Sequence, residues 1–309
     1  MHLGIITCEI LRREIHDVII WTGIKRVFIV LPDTTNPAIL MASREMNTRF
    51  LTELAKEEEI EIKEKRLDDI RREIKDNKLM DSVIIIVMEL RLHDQPWKLL
   101  AAIGDGLKEL SPVVDLVLLG YGLCGCTSDE LEELIRKVPV PVVIPRGARG
   151  EILNNWIDIA LGRERVQELL SEEAGTFFMT PAGASIIKEP QVILKSSINI
   201  MAGGWGYNYR CRSATATATA AAIDTSNIIK LLKNHYKRVI KVCYSETDER
   251  DEDFERVVRN FAAKFGLTIE SVRGSSRAMT DALASFLSSS HQEPRTRSLK
   301  GENSCPPPS

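Results

Sequence analysis

The sequence lacks the features of several protein classes. It has only 6 cysteines in 309 residues, widely spaced, which does not match the disulfide framework of a small secreted domain. No apolar run reaches the roughly 18 residues of a membrane span, and the N-terminus does not resemble a secretory signal. The net charge of −3 gives no basic surface for nucleic acid. We therefore expect a cytoplasmic protein that binds neither membranes nor nucleic acid.

What the sequence does contain is an alternation of apolar runs and helical stretches. Between the runs, apolar residues recur at helix-like spacing. The longest predicted helix covers 38–67, and a short strand is predicted near 60–62 inside that range. Continuous Val, Ile and Leu runs between helices are typical of a parallel sheet covered on both faces. We predict a three-layer α/β fold with a mostly parallel sheet. The strands are predicted at residues 3–7, 27–31, 82–88, 113–119 and 140–144.

Length and composition divide the chain into three parts. A length of 309 residues favours about two domains. We interpret residues 1–200 as the main α/β domain, with an irregular stretch over 175–190, and residues 201–287 as a second α/β half. Alternating Ala and Thr at 213–222 specifies neither a helix nor a strand. Residues 288–309 are polar and proline-ended, so we predict a disordered tail.

Two cysteines follow predicted strands. Cys8 comes after the first strand, and Cys124 lies in the glycine-rich turn that follows the strand at 113–119. Ligands of parallel sheets bind beyond the carboxyl ends of the strands, so both thiols could face one crevice. Gly120 and Gly122 would let a ligand approach the backbone, and a helix starting after the turn would lower a thiol pKa. We predict Cys8 and Cys124 as catalytic and Gly120 and Gly122 as ligand-binding. Packing of two buried cysteines is the alternative.

A third thiol raises the question of a metal. Cys8, Cys124 and Cys126 could supply three thiolates to zinc or another soft metal if the fold brings them together. The spacing of Cys124 and Cys126 is C-x-C, however, and not the C-x-x-C of a zinc knuckle. His93 is the one histidine expected near the same edge, with an exposed loop as the alternative. His16 is expected on a helix surface.

Two arginines follow the strand at 140–144. Arg146 and Arg149 offer two guanidinium groups to a carboxylate or phosphate, and we predict them as ligand-binding. Ordinary surface arginines are the alternative. The sequence has no Walker A motif and no G-x-G-x-x-G after a strand, so nucleotide binding has no motif support.

Three segments together resemble the family known as domain of unknown function 1638. They are I-I-T-C-E-I-L at residues 5–11, the G-Y-G-L-C-G turn at 120–125 and V-I-P-R at 143–146; the turn is the most specific of them. The resemblance covers roughly residues 3–287. Family members commonly continue after P-R with a histidine and a cysteine, which implies a Cys/Cys/His/Cys metal or corrinoid-related site. This chain has Gly-Ala-Arg-Gly there, so only Cys8 and Cys124 carry over.

The resemblance also implies a metabolic setting and leaves three functions open. The family is typical of methanogenic archaea and anaerobic bacteria and often stands beside corrinoid-dependent methyl-transfer genes, so corrinoid methyl-transfer proteins are expected partners. The first function is a thiol-lined small-molecule or metal site in that metabolism, with zinc or a corrinoid as cofactor. The second is a two-cysteine, cofactor-independent racemase or isomerase, although Ser128 replaces the histidine of the racemase G-C-T-H motif. The third is a binding module without turnover, in which Arg146 and Arg149 hold an anionic ligand.

Overall fold

The computed structural model describes residues 1–54, 59–76, 78–187 and 234–290. The boundary predicted at residue 200, the Ala and Thr stretch at 213–222 and the tail beyond residue 290 lie outside these ranges. The described residues contain no helix with both the length and the apolar composition needed to cross a membrane.

The first sheet has six parallel strands in the order β3-β2-β4-β1-β5-β6. Its central strands are continuous apolar runs buried on both faces, as the sequence predicted. The strands are β1 (His2–Cys8), β2 (Arg26–Leu31), β3 (Glu61–Arg66), β4 (Ser82–Met88), β5 (Leu116–Gly120) and β6 (Val142–Val143).

Helices cover both faces of the first sheet, which confirms the three-layer α/β fold. With the right-handed crossovers that are the rule for parallel strands, this strand order puts the first two helices on one face and the next three on the other. The helices are α1 (Arg12–Thr22), α2 (Pro37–Leu54), α3 (Leu67–Lys75), α4 (Pro96–Leu110) and α5 (Ser128–Arg136), with 3-10 turns at Glu9–Leu11 and Leu90–Asp94.

The region predicted as one helix over 38–67 is instead α2 followed by β3. Strand β3 is at the edge of the sheet and its sequence is Glu-Ile-Lys-Glu-Lys-Arg, with most side chains partly or fully exposed. Charged residues on an edge strand discourage pairing with another chain, and they give such a strand the composition of a solvated helix. The strand predicted near 60–62 is therefore present, but it is longer than predicted and covers Glu61–Arg66.

The second sheet has three parallel strands in the order β7-β8-β9. Strand β7 (Thr176–Met179) comes from the range 1–200, and with α8 (Pro181–Ile187) it lies in the stretch at 175–190 that was predicted to be irregular; for these described residues the prediction was wrong. Apolar clusters form on both faces of β8. The strands are β7 (Thr176–Met179), β8 (Arg238–Cys243) and β9 (Thr268–Arg273). The helices are α6 (Trp156–Leu161), α7 (Arg163–Glu172), α8 (Pro181–Ile187), α9 (Glu246–Arg250), α10 (Glu252–Phe265) and α11 (Arg277–Ser290).

Helix α11 returns from the second sheet to the first. It packs against α1, α6 and β6, and its Met279 and Leu283 belong to the apolar core of the first sheet. The predicted disordered tail began at residue 288, whereas the helix continues to Ser290.

Candidate functional site

The crevice between β1 and β5 is a topological switch point. The two strands are neighbours, but the chain leaves β1 towards β2 on one side and leaves β5 towards β6 on the other. Such a divergence opens a crevice beyond the carboxyl ends of the strands, where open α/β sheets bind their ligands. Cys8 is the last residue of β1, and the turn that holds Cys124 follows β5. The structure therefore places both thiols at the edge of the sheet where ligands are expected.

Gly122 is required by the protein's own backbone. A Cβ atom there would lie 2.5 Å from the carbonyl oxygen of Leu153 and 2.7 Å from the carbonyl carbon of Asn154. The same strip of chain pairs with the turn, because the amides of Leu123 and Cys124 donate to the carbonyls of Leu153 (2.8 Å) and Asn154 (2.7 Å). The close approach that the sequence assigned to a ligand is thus made by residues 153–155.

Gly120 is also closely packed. A Cβ atom there would lie 3.1 Å from Cδ1 of Ile15 and 3.2 Å from Oγ1 of Thr7. This glycine lets α1 pack tightly over the end of β5.

Cys124 has a strained backbone. It is the one non-glycine residue in the described ranges with a positive φ, 46°, and Gly125 follows with a φ of 94°. The left-handed conformation costs a non-glycine residue roughly 1–2 kcal/mol. Strain of this kind persists where the surroundings enforce it and is concentrated at binding and catalytic sites.

Both thiols keep their protons at neutral pH. Burial raises the pKa of the fully buried Cys8 thiol to about 12, although hydrogen bonds from the amides of Ile10 and Leu11 and from Tyr121 partly oppose the shift. Cys124 as a residue is half-buried, but the protein that surrounds its thiol raises its pKa, and the nearby Cys8 raises it further. A protonated thiol is neither a nucleophile nor a metal ligand.

The N-terminus of helix α5, which was expected to lower the pKa of a thiol, is already satisfied by the chain itself. The Thr127 hydroxyl accepts from the amide of Glu130 (3.2 Å), and the Glu130 carboxylate accepts from the amide of Thr127 (2.9 Å). In this capping box the Glu130 carboxylate supplies the negative charge that is favourable at a helix N-terminus, so the helix does not need a thiolate in that role.

Tyr121 is a central group of the site that sequence reasoning missed. Its ring stacks on His93, with the ring centroids 5.6 Å apart, and its hydroxyl is fully buried without a nitrogen or oxygen partner among the described residues. Burial raises its pKa well above the usual value, and the neighbouring Cys8 and Cys124 contribute to the shift. The available signal was a large aromatic residue between two glycines at the end of a buried strand.

The predicted three-thiolate metal site is not formed. The thiol of Cys126 donates to the carbonyl of Pro96 (3.4 Å) at the start of α4. Within the four described ranges, no three His, Cys, Asp or Glu side chains are placed to hold a metal ion. Because the Cys126 thiol is held by the Pro96 carbonyl and no third ligand joins Cys8 and Cys124 among the described residues, the donor set does not fit zinc or ligation of a corrinoid metal.

Arg146 and Arg149 do not converge on one ligand. Arg146 donates to the carbonyl of Gly150 (2.8 Å) and to the Glu132 carboxylate (3.2 Å). Arg149 lies apart from these contacts, at a shallow depression of about 250 Å³ whose lining balances two positive against two negative charges. The residues that line it are Arg149, Glu151, Arg163, Glu164 and Gln167.

The fold and the carboxyl edge of the first sheet define the class of protein as a parallel α/β protein with a switch-point crevice. A family model described as "Protein of unknown function (DUF1638)" matches residues 87–283. The match covers more than half of the chain, so the chain belongs to this family. It includes Tyr121 and Cys124, and it extends from β4 of the first sheet into α11, whereas Cys8 precedes it. No curated protein matches the chain.

Proposed function

We propose that this protein binds a small organic molecule in the crevice between β1 and β5, with Cys8, Tyr121 and Cys124 as contact groups. The observation that carries the proposal is the Tyr121 hydroxyl, which is buried at the switch point without a nitrogen or oxygen partner. Its contact with the Cys8 thiol offers only a weak acceptor, and a buried hydroxyl left without any acceptor would cost about 1–3 kcal/mol. A ligand atom that accepts a hydrogen bond from this hydroxyl would offset that cost.

The protonation states indicate the chemistry of the ligand. The raised pKa values of Cys8, Tyr121 and Cys124 make all three groups neutral donors, and the His93 ring adds a planar surface beside Tyr121. Neutral donors in an apolar setting suit an uncharged, planar ligand with one or two acceptor atoms. The two-cysteine racemase would need one thiolate as its base, so nothing in the site favours it. The neutral lining at Arg149 likewise gives no support to an anion-binding module.

The link to corrinoid-dependent methyl transfer remains a proposal drawn from the family resemblance. In this proposal the protein would act on, or deliver, a small molecule of that metabolism, and corrinoid methyl-transfer proteins would be its partners. The thiols would contact the small molecule and would not ligate a metal.

Ligand-observed NMR on the full chain tests the proposed site. The neutral probes are nicotinamide and benzamide, and the competing classes are zinc chloride, inorganic phosphate and hydroxocobalamin. We expect the neutral probes to bind the wild type and to bind Tyr121→Phe at least fivefold more weakly. Tyr236→Phe is the matched control, because Tyr236 is another buried tyrosine whose hydroxyl lacks a nitrogen or oxygen partner, but it precedes a strand of the second sheet.

Three results would overturn the proposal. The first is that neither neutral probe binds. The second is that Tyr121→Phe and Tyr236→Phe bind the probes equally. The third is that only zinc, phosphate or hydroxocobalamin binds, in which case the site serves a charged ligand or a cofactor.

A further inference from the structure

Helix α1 connects the two sheets through polar side chains. The 3-10 turn that precedes it contacts α8, and Tyr244 and Ser276 reach it from the segments that follow β8 and β9. The carboxyl ends of both sheets therefore meet at this helix. Among the described residues, the side-chain hydrogen bonds that cross the junction include Arg12 to Ser185, Ser276 to Asp17 and Tyr244 to Glu14.

The bond between Tyr244 and Glu14 differs from the other two because it is fully enclosed. Glu14 is only 1% exposed, and its Oε1 accepts from the Tyr244 hydroxyl. Its Oε2 is buried without a hydrogen-bond partner among the described residues. Burial raises the pKa of Glu14 to about 7, although the Tyr244 hydroxyl partly opposes the shift. The carboxyl therefore changes charge near neutral pH.

The surroundings of Glu14 provide little compensation for a negative charge. Arg13 lowers and Asp17 raises the pKa of Glu14, and these two residues pair with each other at 3.5 Å. Tyr244 stays protonated, because burial raises its pKa well above the usual value. The charged or titratable groups on the elements that pack here are Glu9, Arg12, Arg13, His16 and Asp17 on the 3-10 turn and α1, Arg44 and Glu45 on α2, Tyr244 and Asp248 after β8, and Arg277 and Asp281 on α11.

We propose that Glu14 and Tyr244 form a proton-controlled latch between the two sheets. With its proton, Glu14 is a neutral group that tolerates burial and holds the junction closed. Without it, a carboxylate whose donors are the Tyr244 hydroxyl and its own amide is left in a dry interface, which is unfavourable unless water reaches Oε2. Separation of the two sheets admits that water, and polar junctions of this kind permit such motion. The latch does not depend on the proposed ligand.

Hydrogen–deuterium exchange of the full chain at pH 6 and pH 8 tests the latch. After correction for intrinsic rates, we expect residues 9–22 and 238–250 to exchange at least fivefold faster at pH 8, with a midpoint near 7. Residues 82–88 in the centre of the first sheet should not change. In Glu14→Gln, which keeps the acceptor for Tyr244 and cannot ionise, the difference should disappear.

A second carboxyl provides the matched control. Burial also raises the pKa of Glu109, which lies on α4 away from α1, so Glu109→Gln should keep the wild-type pH dependence. Tyr244→Phe should exchange rapidly at the junction at both pH values. A wild-type protein whose junction exchanges equally at pH 6 and pH 8 would overturn the proposal, and so would a pH dependence that survives in Glu14→Gln. The wild-type profile decides the question even if a variant does not fold.

Discussion

Replacing Gly122 by alanine tests how the turn of the candidate site is held. The added Cβ would meet backbone atoms of residues 153–155 at 2.5–2.7 Å, which real Cβ atoms do not approach. Backbone cannot move aside as a flexible side chain can, so the two segments must separate. The hydrogen bonds from Leu123 and Cys124 to Leu153 and Asn154 should then lengthen or break.

The expected loss of stability follows from these contacts. Each of the two backbone hydrogen bonds contributes about 1 kcal/mol net. Forcing an extra methyl group into a packed site costs about 1–3 kcal/mol, part of which the separation relieves. We expect Gly122→Ala to lower the free energy of unfolding by about 2–4 kcal/mol.

Urea denaturation measures the global effect, and thiol labelling with a disulfide reagent measures the local one. Cys124 should react faster in Gly122→Ala than in the wild type, because the turn no longer encloses it. Gly150→Ala is the matched control: its φ of 81° imposes backbone strain, but no atom lies within 4 Å of the added Cβ. If Gly122→Ala loses no more stability than Gly150→Ala and Cys124 stays protected, the close approach of 153–155 is not what holds the turn.

Three further predictions concern buried groups elsewhere. Leu283→Ala should lower the free energy of unfolding by about 2–4 kcal/mol in urea, since this side chain is 1% exposed in the core of the first sheet, whereas Ile269→Ala at a 40% exposed position should change it far less. The pKa of Glu14 is about 7 in the folded protein against an ordinary 4.5, so its contribution to stability is fully present below pH 4.5 and is lost as the pH rises through 7. Glu14→Gln should remove this dependence, and its free energy of unfolding should rise relative to the wild type by up to about 3 kcal/mol between pH 5 and pH 8. Parallel plots of unfolding free energy against pH for the two proteins would contradict this reasoning. Because the pKa of Cys8 is about 12, iodoacetamide at pH 8 should leave Cys8 unmodified in the native protein and alkylate it in urea, as read by mass spectrometry; rapid native alkylation would show that the thiol is accessible and ionised.

The sequence predicted the strands that are buried on both faces. Strands β1, β4 and β5 lie in the interior of the first sheet, and their unbroken apolar runs reflect that burial. Strand β3 was largely missed because an edge position favours charged residues. Strand β7 was missed because four residues carry too little periodicity to identify a strand.

The edge that holds Cys8 and Cys124 could be predicted because parallel strands present their carboxyl ends together. Their protonation state could not, since it depends first on burial by elements that are distant in sequence. His16, expected on a helix surface, is buried in the structure and contacts Asp17. Helix α11, which packs against α1, comes from more than 200 residues away in sequence, and no local sequence pattern predicts that contact.

The return of α11 to the first sheet has a consequence for folding during synthesis. All six strands of that sheet have been made once the ribosome passes residue 143, but Met279 and Leu283 of its core arrive much later. At roughly 5–20 residues per second, the gap lasts on the order of ten seconds. During that time part of the apolar core is open to solvent, and the contacts that close it are among the most distant in sequence and slow to form. We therefore expect the nascent first sheet to be a target for chaperones, and substitutions in α11 should reduce the yield of folded protein more than its final stability would indicate.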